Sequence, residues 1–231
     1  MKSSRIASLM VLLVLAAGVA AAQQSVPQLK AAAETAGGAA TAAPRDYAAN
    51  WMAAKAWRSY GDEAVSQKVA DWKAIAKAAG KEGMKYGEIA TELNPSGIEG
   101  WYYYGLSVGT YADGVSIVTA ITQGLKGKTQ KGFEMAYATN KRFDNGGPIL
   151  ALGRFWQVLP GIAGRDVKKA EQLFTEYIAL FGSSPEANSD AWLFRGELYK
   201  EQGRTAEARA DLQRAVSMGS KDAAEMMKDL K

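Results

Sequence analysis

The side chains best suited to hold a ligand in this 231-residue chain are four cations, Lys55, Arg58, Arg154 and Lys200. An arginine can grip a carboxylate with two parallel bonds, so such a set points to binding an anion. Covalent chemistry has little to work with. The sequence has no histidine and no cysteine, which removes Ser-His-Asp and Cys-His catalysis, thiol redox chemistry and zinc sites of the usual ligands. No carboxylate pair stands apart from the charges of solvated helix faces. Gly146-Gly147-Pro148 reads as the start of a helix rather than a phosphate-cradling loop. No catalytic residue, metal or cofactor is therefore expected, and the chain reads as a non-enzyme. In the aromatic run Trp101 to Tyr104, Trp101 and Tyr104 fall on packing positions. Tyr102 and Tyr103 point elsewhere and remain candidate contacts.

The elements that position these groups are clearest in Trp192 to Ala215. Trp192, Gly196 and Tyr199 recur at helical spacing, Gly203 breaks the run, and Ala208, Leu212 and Ala215 repeat on a second helical face. Two antiparallel helices joined by a tight turn follow, with bulky Trp192 and Tyr199 entering holes left by Gly196, Ala208 and Ala215. The pattern resembles a tetratricopeptide repeat. Two departures are Arg195, where that family usually has leucine, and Ser220, where a proline usually ends the second helix.

Looser copies of the unit precede it. One has Ile149, Leu152, Gly153 and Trp156, with Ala170, Phe174 and Tyr177 after a connection in which Pro160 and Gly161 stop a helix and Asp166 caps the next. Another has Trp101, Tyr104, Gly105 and Val108, then Phe133 and Ala136. The first has Ala53, Ala54, Trp57 and Gly61, then Gly83, Gly87, Ala90 and the terminating Pro95. Strand signals are scarce. The expected fold is all-α, a tetratricopeptide-like αα solenoid of about four helix pairs, the first three stretched by inserted residues along one edge. Within the second insertion, Tyr111 to Leu125 is apolar almost all round and predicts a buried helix, a lid or membrane-touching role being the alternative.

In this register the stripe beside the packing stripe of each first helix lines the concave surface. It holds Trp51, Lys55 and Arg58; Tyr102 and Leu106; Leu150, Arg154 and Gln157; then Leu193, Glu197 and Lys200. Aromatic at one end and mostly basic, it is the expected groove for a protein partner or an amphipathic anion such as an organic acid or peptide C-terminus. A solvated helix face is the competing reading.

Ahead of this domain, residues 1–22 carry Lys2 and Arg5, an uncharged run and a closing Ala20-Ala21-Ala22, the layout of a cleaved secretory signal peptide. Residues 23–45, rich in alanine with Gly37 and Gly38, predict a flexible leader or a short alanine-rich helix, and the helical domain is expected over 46–231. Removing Lys2 and Arg5 takes the formal charge from +4 to +2, so no nucleic-acid partner is indicated. A soluble periplasmic protein is expected.

The stretched repeats also resemble a narrower family. NPSGIEGWYYYGLSVG, FDNGGPILALGRFWQVLPG and the segment running from AEQLFTEYIALFG to Arg204 are similar to the T component of tripartite ATP-independent periplasmic (TRAP) transporters, most specifically over Asp144 to Gly161. The resemblance implies a periplasmic helical-repeat protein that associates with the transporter's solute-binding protein. Many members are lipoproteins, and this chain lacks the cysteine that would carry the lipid. A general cell-envelope scaffold that holds a protein or peptide in its groove is the alternative.

Overall fold

A computed structural model describes residues 24–230; the proposed signal segment lies outside them. Every regular element among the described residues is helical: α1 (Val26–Ala42), α2 (Tyr47–Ser66), α3 (Trp72–Leu93), α4 (Ile98–Asp113), α5 (Ile117–Thr122), α6 (Leu125–Asn140), α7 (Phe143–Val158), a 3₁₀ turn (Gly161–Ala163), α8 (Val167–Phe181), α9 (Asp190–Glu201), α10 (Thr205–Ser217) and α11 (Lys221–Lys228). The pairs α2/α3, α4/α6, α7/α8 and α9/α10 stack in chain order, and α1 and α11 flank the two ends. This is the expected all-α solenoid. No helix among the described residues is long and apolar enough to cross a membrane.

Small residues set the spacing of each pair. A Cβ added to Gly105 would lie 2.7 Å from the Phe133 ring, one on Gly153 would lie 2.7 Å from the Phe174 ring, and one on Gly196 would lie 2.9 Å from Leu212. In each case the residue met lies one helical turn beyond the small position on the partner helix, namely Thr129, Ala170 and Ala208, so one register runs through three pairs. In the first pair a Cβ added to Gly61 of α2 would lie 3.1 Å from the Ala79 side chain of α3, whereas one on Gly83 of α3 would first meet Ser107 of α4, at 2.5 Å.

Both departures of the last repeat have a physical account. Arg195 on α9 donates two bonds to Asp211 on α10, at 2.7 and 2.9 Å, and a third to the Thr175 hydroxyl on α8 at 3.0 Å. A charged clip across three helices thus stands where leucine packing is usual. Ser220 begins α11 instead of ending α10, its hydroxyl accepting from the Ala223 amide at 3.2 Å. Asp166 caps α8 as expected, accepting from Lys169 at 2.9 Å.

Three expectations are corrected. The helical domain begins at Val26 rather than at 46, because of the two readings of residues 23–45 the alanine-rich helix is the one that forms, as α1. Its buried face is Ala33, Gly37 and Ala40, and the bulk comes from the partners: the Tyr86 hydroxyl donates to the Gly37 carbonyl at 3.1 Å, and Trp57 packs beside the same glycine. A helix without large side chains can thus be held by a surface that supplies them. Second, the stretch in the first pair is not an inserted connection. It is absorbed in the length of α2 and α3, 20 and 22 residues, whose turn spans only 67–71.

The third correction falls on the apolar run from Tyr111 to Leu125. Only its ends are buried, Tyr111 at 8 % and Leu125 at 2 % exposure, whereas Ile117, Val118 and Ile121 are exposed. The run breaks at Gly114, and α5 then packs mainly against α6, with Ala120 also meeting the cluster of Tyr104, Val108, Tyr111 and Leu125. Six residues with so few neighbours cannot be enclosed, so their outer face meets water.

Candidate functional site

The expected concave stripe divides into a packed part and an open part. Tyr102, Leu150, Gln157 and Leu193 are buried. Trp51 stacks on Tyr103 with ring centroids 5.8 Å apart, and Phe143 meets both Tyr102 and Tyr103 edge-on. The Lys55 ammonium sits 5.5 Å over the Tyr103 ring. This aromatic cluster is core, not an open box. Burial, and after it the Asp144 carboxylate, raises the Tyr102 hydroxyl far above the ordinary tyrosine range. Asp144 and Asn145 precede Gly146 in a run of left-handed residues, φ 50°, 52° and 82°. The turn lets Gly147 pass against the Tyr102 hydroxyl, which any Cβ there would overlap.

Four free cations do not converge, which corrects the expected anion grip. Arg58 pairs with Asp62, one turn along α2, at 2.5 Å. Arg154 pairs with Glu197 of α9 at 2.5 Å and lies 4.3 Å over the Phe194 ring. The buried Gln157 amide donates to the Phe194 carbonyl at 3.0 Å and to Glu197 at 3.1 Å. Next to it, Arg165 donates to the Gln157 carbonyl at 2.6 Å and pairs with Glu201. The structure therefore brings Arg154, Gln157 and Glu197 into one α7–α9 network whose charges are matched. Lys200 lies one turn further along α9.

The open part is a groove of about 690 Å³ in which Arg58, Leu106 and Arg154 of the predicted stripe take part. Its floor is apolar, with Leu106, Phe133, Ala151 and Phe155. Its two lips are formed by Ile117 and Ile121 of α5 on one side, and by Val158 at the end of α7 with Leu159 and Pro160 of the following connection on the other. At one end stand Asp62, Thr110 and Asp113, the Thr110 hydroxyl reaching Asp62 at 3.4 Å. Asp62, Asp113 and the lips were missed from the sequence. The signals were an apolar run with too few neighbours to bury it and a Val-Leu-Pro connection inside the third insertion.

Asp113 gives the groove a measurable handle. Its surface faces the opening, while protein on either side strips part of its water. That burial, and after it the Asp62 carboxylate, pushes the carboxyl up to about 6. The ordinary unfolded value is about 3.9. The fold thus disfavours the ionised form, and the contribution of Asp113 to stability falls as pH rises from about 4 through 6 and is constant above that. Asp113→Asn should be more stable than the parent above pH 6 and indistinguishable from it below pH 4, as read by urea midpoints. A carboxyl resonance that titrates near 4 in the folded protein would contradict this.

What the arrangement can do is bind. Among the described residues no group of three or more carboxylates gathers to hold a metal ion. No protein-family model matches the chain, and no curated protein matches it. Solved structures do. The chain is similar to TTC0263, a thermophilic TPR protein of Thermus thermophilus, with a TM-score of 0.59 at 17% identity over 88% of this chain and 89% of that one. It is also similar to MamA, with a TM-score of 0.52 at 12% identity over 87% and 92%. At such identities the likeness concerns the fold, and the fold is that of a tetratricopeptide-like helical solenoid.

Proposed function

We propose that this chain is a non-catalytic periplasmic accessory subunit of a TRAP-type transporter that binds the transporter's solute-binding protein. The observation that carries the binding role is the groove. A solenoid of stacked helix pairs presents an apolar channel whose lips, Ile117, Ile121 and Val158, lie more than half exposed. Such uncovered apolar surface marks an interaction site. The transporter assignment is supported by the sequence resemblance over Asp144 to Gly161, the signal-like segment 1–22 supporting a periplasmic location. A small anion would have to displace Asp62 from Arg58 or Glu197 from Arg154, so a protein partner fits better than an organic acid.

Calorimetric titration of the purified protein with a TRAP-type solute-binding protein from the same organism should give saturable one-to-one binding. Absence of binding to that protein at 100 µM would reject the transporter role.

A further inference from the structure

We propose that the groove between α5 and the connection after α7 receives an amphipathic helix of a protein partner, aliphatic along one face and basic at the end that meets Asp113. The inference rests on the reading above that the chain binds a protein, and it names the partner's chemistry.

The lips exclude a ligand confined to the floor. Val118 and Ile162 are 66 and 91 % exposed and stand outside the channel, beyond Ile117, Ile121 and Val158 at 53, 57 and 55 %. A small molecule resting on Phe133 and Phe155 would leave all five aliphatics in water. A body that fills the channel and rises past its lips covers them, and a polypeptide segment does this. The backbone then decides how the segment is read. In α5 the amides of Ala120 and Gln123 donate to Ser116 and Thr119, and after α7 those of Ala163 and Gly164 donate to Pro160 and Gly161. With no open strand edge among the described residues, recognition must pass through side chains. That is the helix-in-groove mode, with apolar anchors at i, i+3 or i+4, and i+7.

Charge sets the direction. Arg58 and Arg154 are already matched by Asp62 and Glu197. Asp113 makes no ion pair among the described residues. It ends α4, where the helix's own partial negative charge adds to that of the carboxylate, and Asp62 stands at the same end of the groove. Lys126 is at the other lip, its ammonium 3.3 Å from where a side chain on Gly164 would begin. A helix lying in the channel meets an anionic end and a cationic lip, so a lysine or arginine belongs at the Asp113 end.

The test uses fluorescein-labelled 18-residue peptides with leucines at helical spacing, ended by two lysines or by two glutamates, and a scrambled control. Anisotropy with the purified protein should show the lysine-ended peptide binding about 10-fold tighter than the glutamate-ended one. Ile121→Asp and Ile162→Asp, both at exposed positions that leave the melting curve unchanged, should each weaken binding about 10-fold or more. Asp113→Lys should invert the preference between the two ends. The proposal is overturned if the scrambled peptide binds equally, if no peptide binds at 100 µM, or if Asp113→Lys leaves the preference intact. It is also overturned if Ile121→Asp instead abolishes self-association in sedimentation, or binding to phosphatidylglycerol vesicles. If the solute-binding protein binds Ile121→Asp and Ile162→Asp as tightly as the parent, the groove inference alone falls. If that protein does not bind the parent, the transporter reading falls while the peptide result still decides the groove.

Discussion

Arg195→Leu, which restores the residue usual in tetratricopeptide repeats, is expected to destabilise the protein by about 3 kcal/mol. The arginine and Asp211 side chains are 16 and 9 % exposed and share two hydrogen bonds, so leucine leaves a carboxylate without its partner in a nearly dry helix contact. Stranding one member of a buried pair costs far more than the pair contributes, because the charge that remains keeps its desolvation penalty. The Thr175 contact is lost too, loosening α8 from α9. For a helical domain of this size the melting temperature should fall by about 6 to 12 °C. The double variant Arg195→Leu with Asp211→Leu should recover most of the loss, since two apolar residues of similar bulk suit the same contact. If the single variant melts with the parent, the clip contributes nothing to stability. If the double variant is no better than the single one, packing and not charge sets the cost.

These residues show what the sequence made legible. Spacing of Gly153, Gly196, Ala170 and Ala208 was enough to place helix pairs and their register, because close approach demands small residues and the demand repeats. Arg195 was visible as a departure, yet its partner was not, since Asp211 is one of many carboxylates until α9 and α10 are docked. The same limit governed the groove. Helical spacing could put Arg58 and Arg154 on one stripe, but whether an arginine is free depends on Asp62 and Glu197, and for Arg154 on a residue of another helix. The burial of α1 and the exposure of α5 were misread for opposite reasons. Composition reports what a segment could bury, whereas burial also depends on what the neighbours offer: Trp57 and Tyr86 around Gly37, and little beyond α6 for the outer face of α5.

The insertions follow from the same reasoning. Plain helix pairs place their short connections along one edge, and here two of those connections are the lips of the groove. The first pair's extra residues lengthen α2 and α3 instead, which carries Arg58 and Asp62 far enough along α2 to form the groove's charged end. The fold is thus a repeat scaffold whose added residues make a site that the repeats alone would lack.

The Gly153–Phe174 contact tests the register directly. Phe174 is fully buried, and its ring lies flat enough on α7 that a Cβ on Gly153 would sit 2.7, 3.0 and 3.2 Å from three ring carbons. The same ring meets Phe194 at 5.8 Å, so it joins three helices. Phe174→Ala should cost about 3 to 5 kcal/mol, the loss of a large buried ring plus the cavity it leaves. Gly153→Leu should cost about 1 to 3 kcal/mol by overpacking, because the ring has no open space to move into. The two changes act on one volume. In the double variant the leucine enters the space the ring vacated, and the combined cost should fall short of the sum by about 1 to 2 kcal/mol. Gly87, whose added Cβ would meet the Tyr104 backbone at 2.8 Å, lies in the α3–α4 contact instead. Pairing Gly87→Leu with Phe174→Ala should therefore give simple additivity. Urea unfolding of the parent, the single variants and the two double variants reads both couplings. Strict additivity for Gly153 and Phe174 would mean that the two do not share a contact, and the register through α7 and α8 would have to be redrawn.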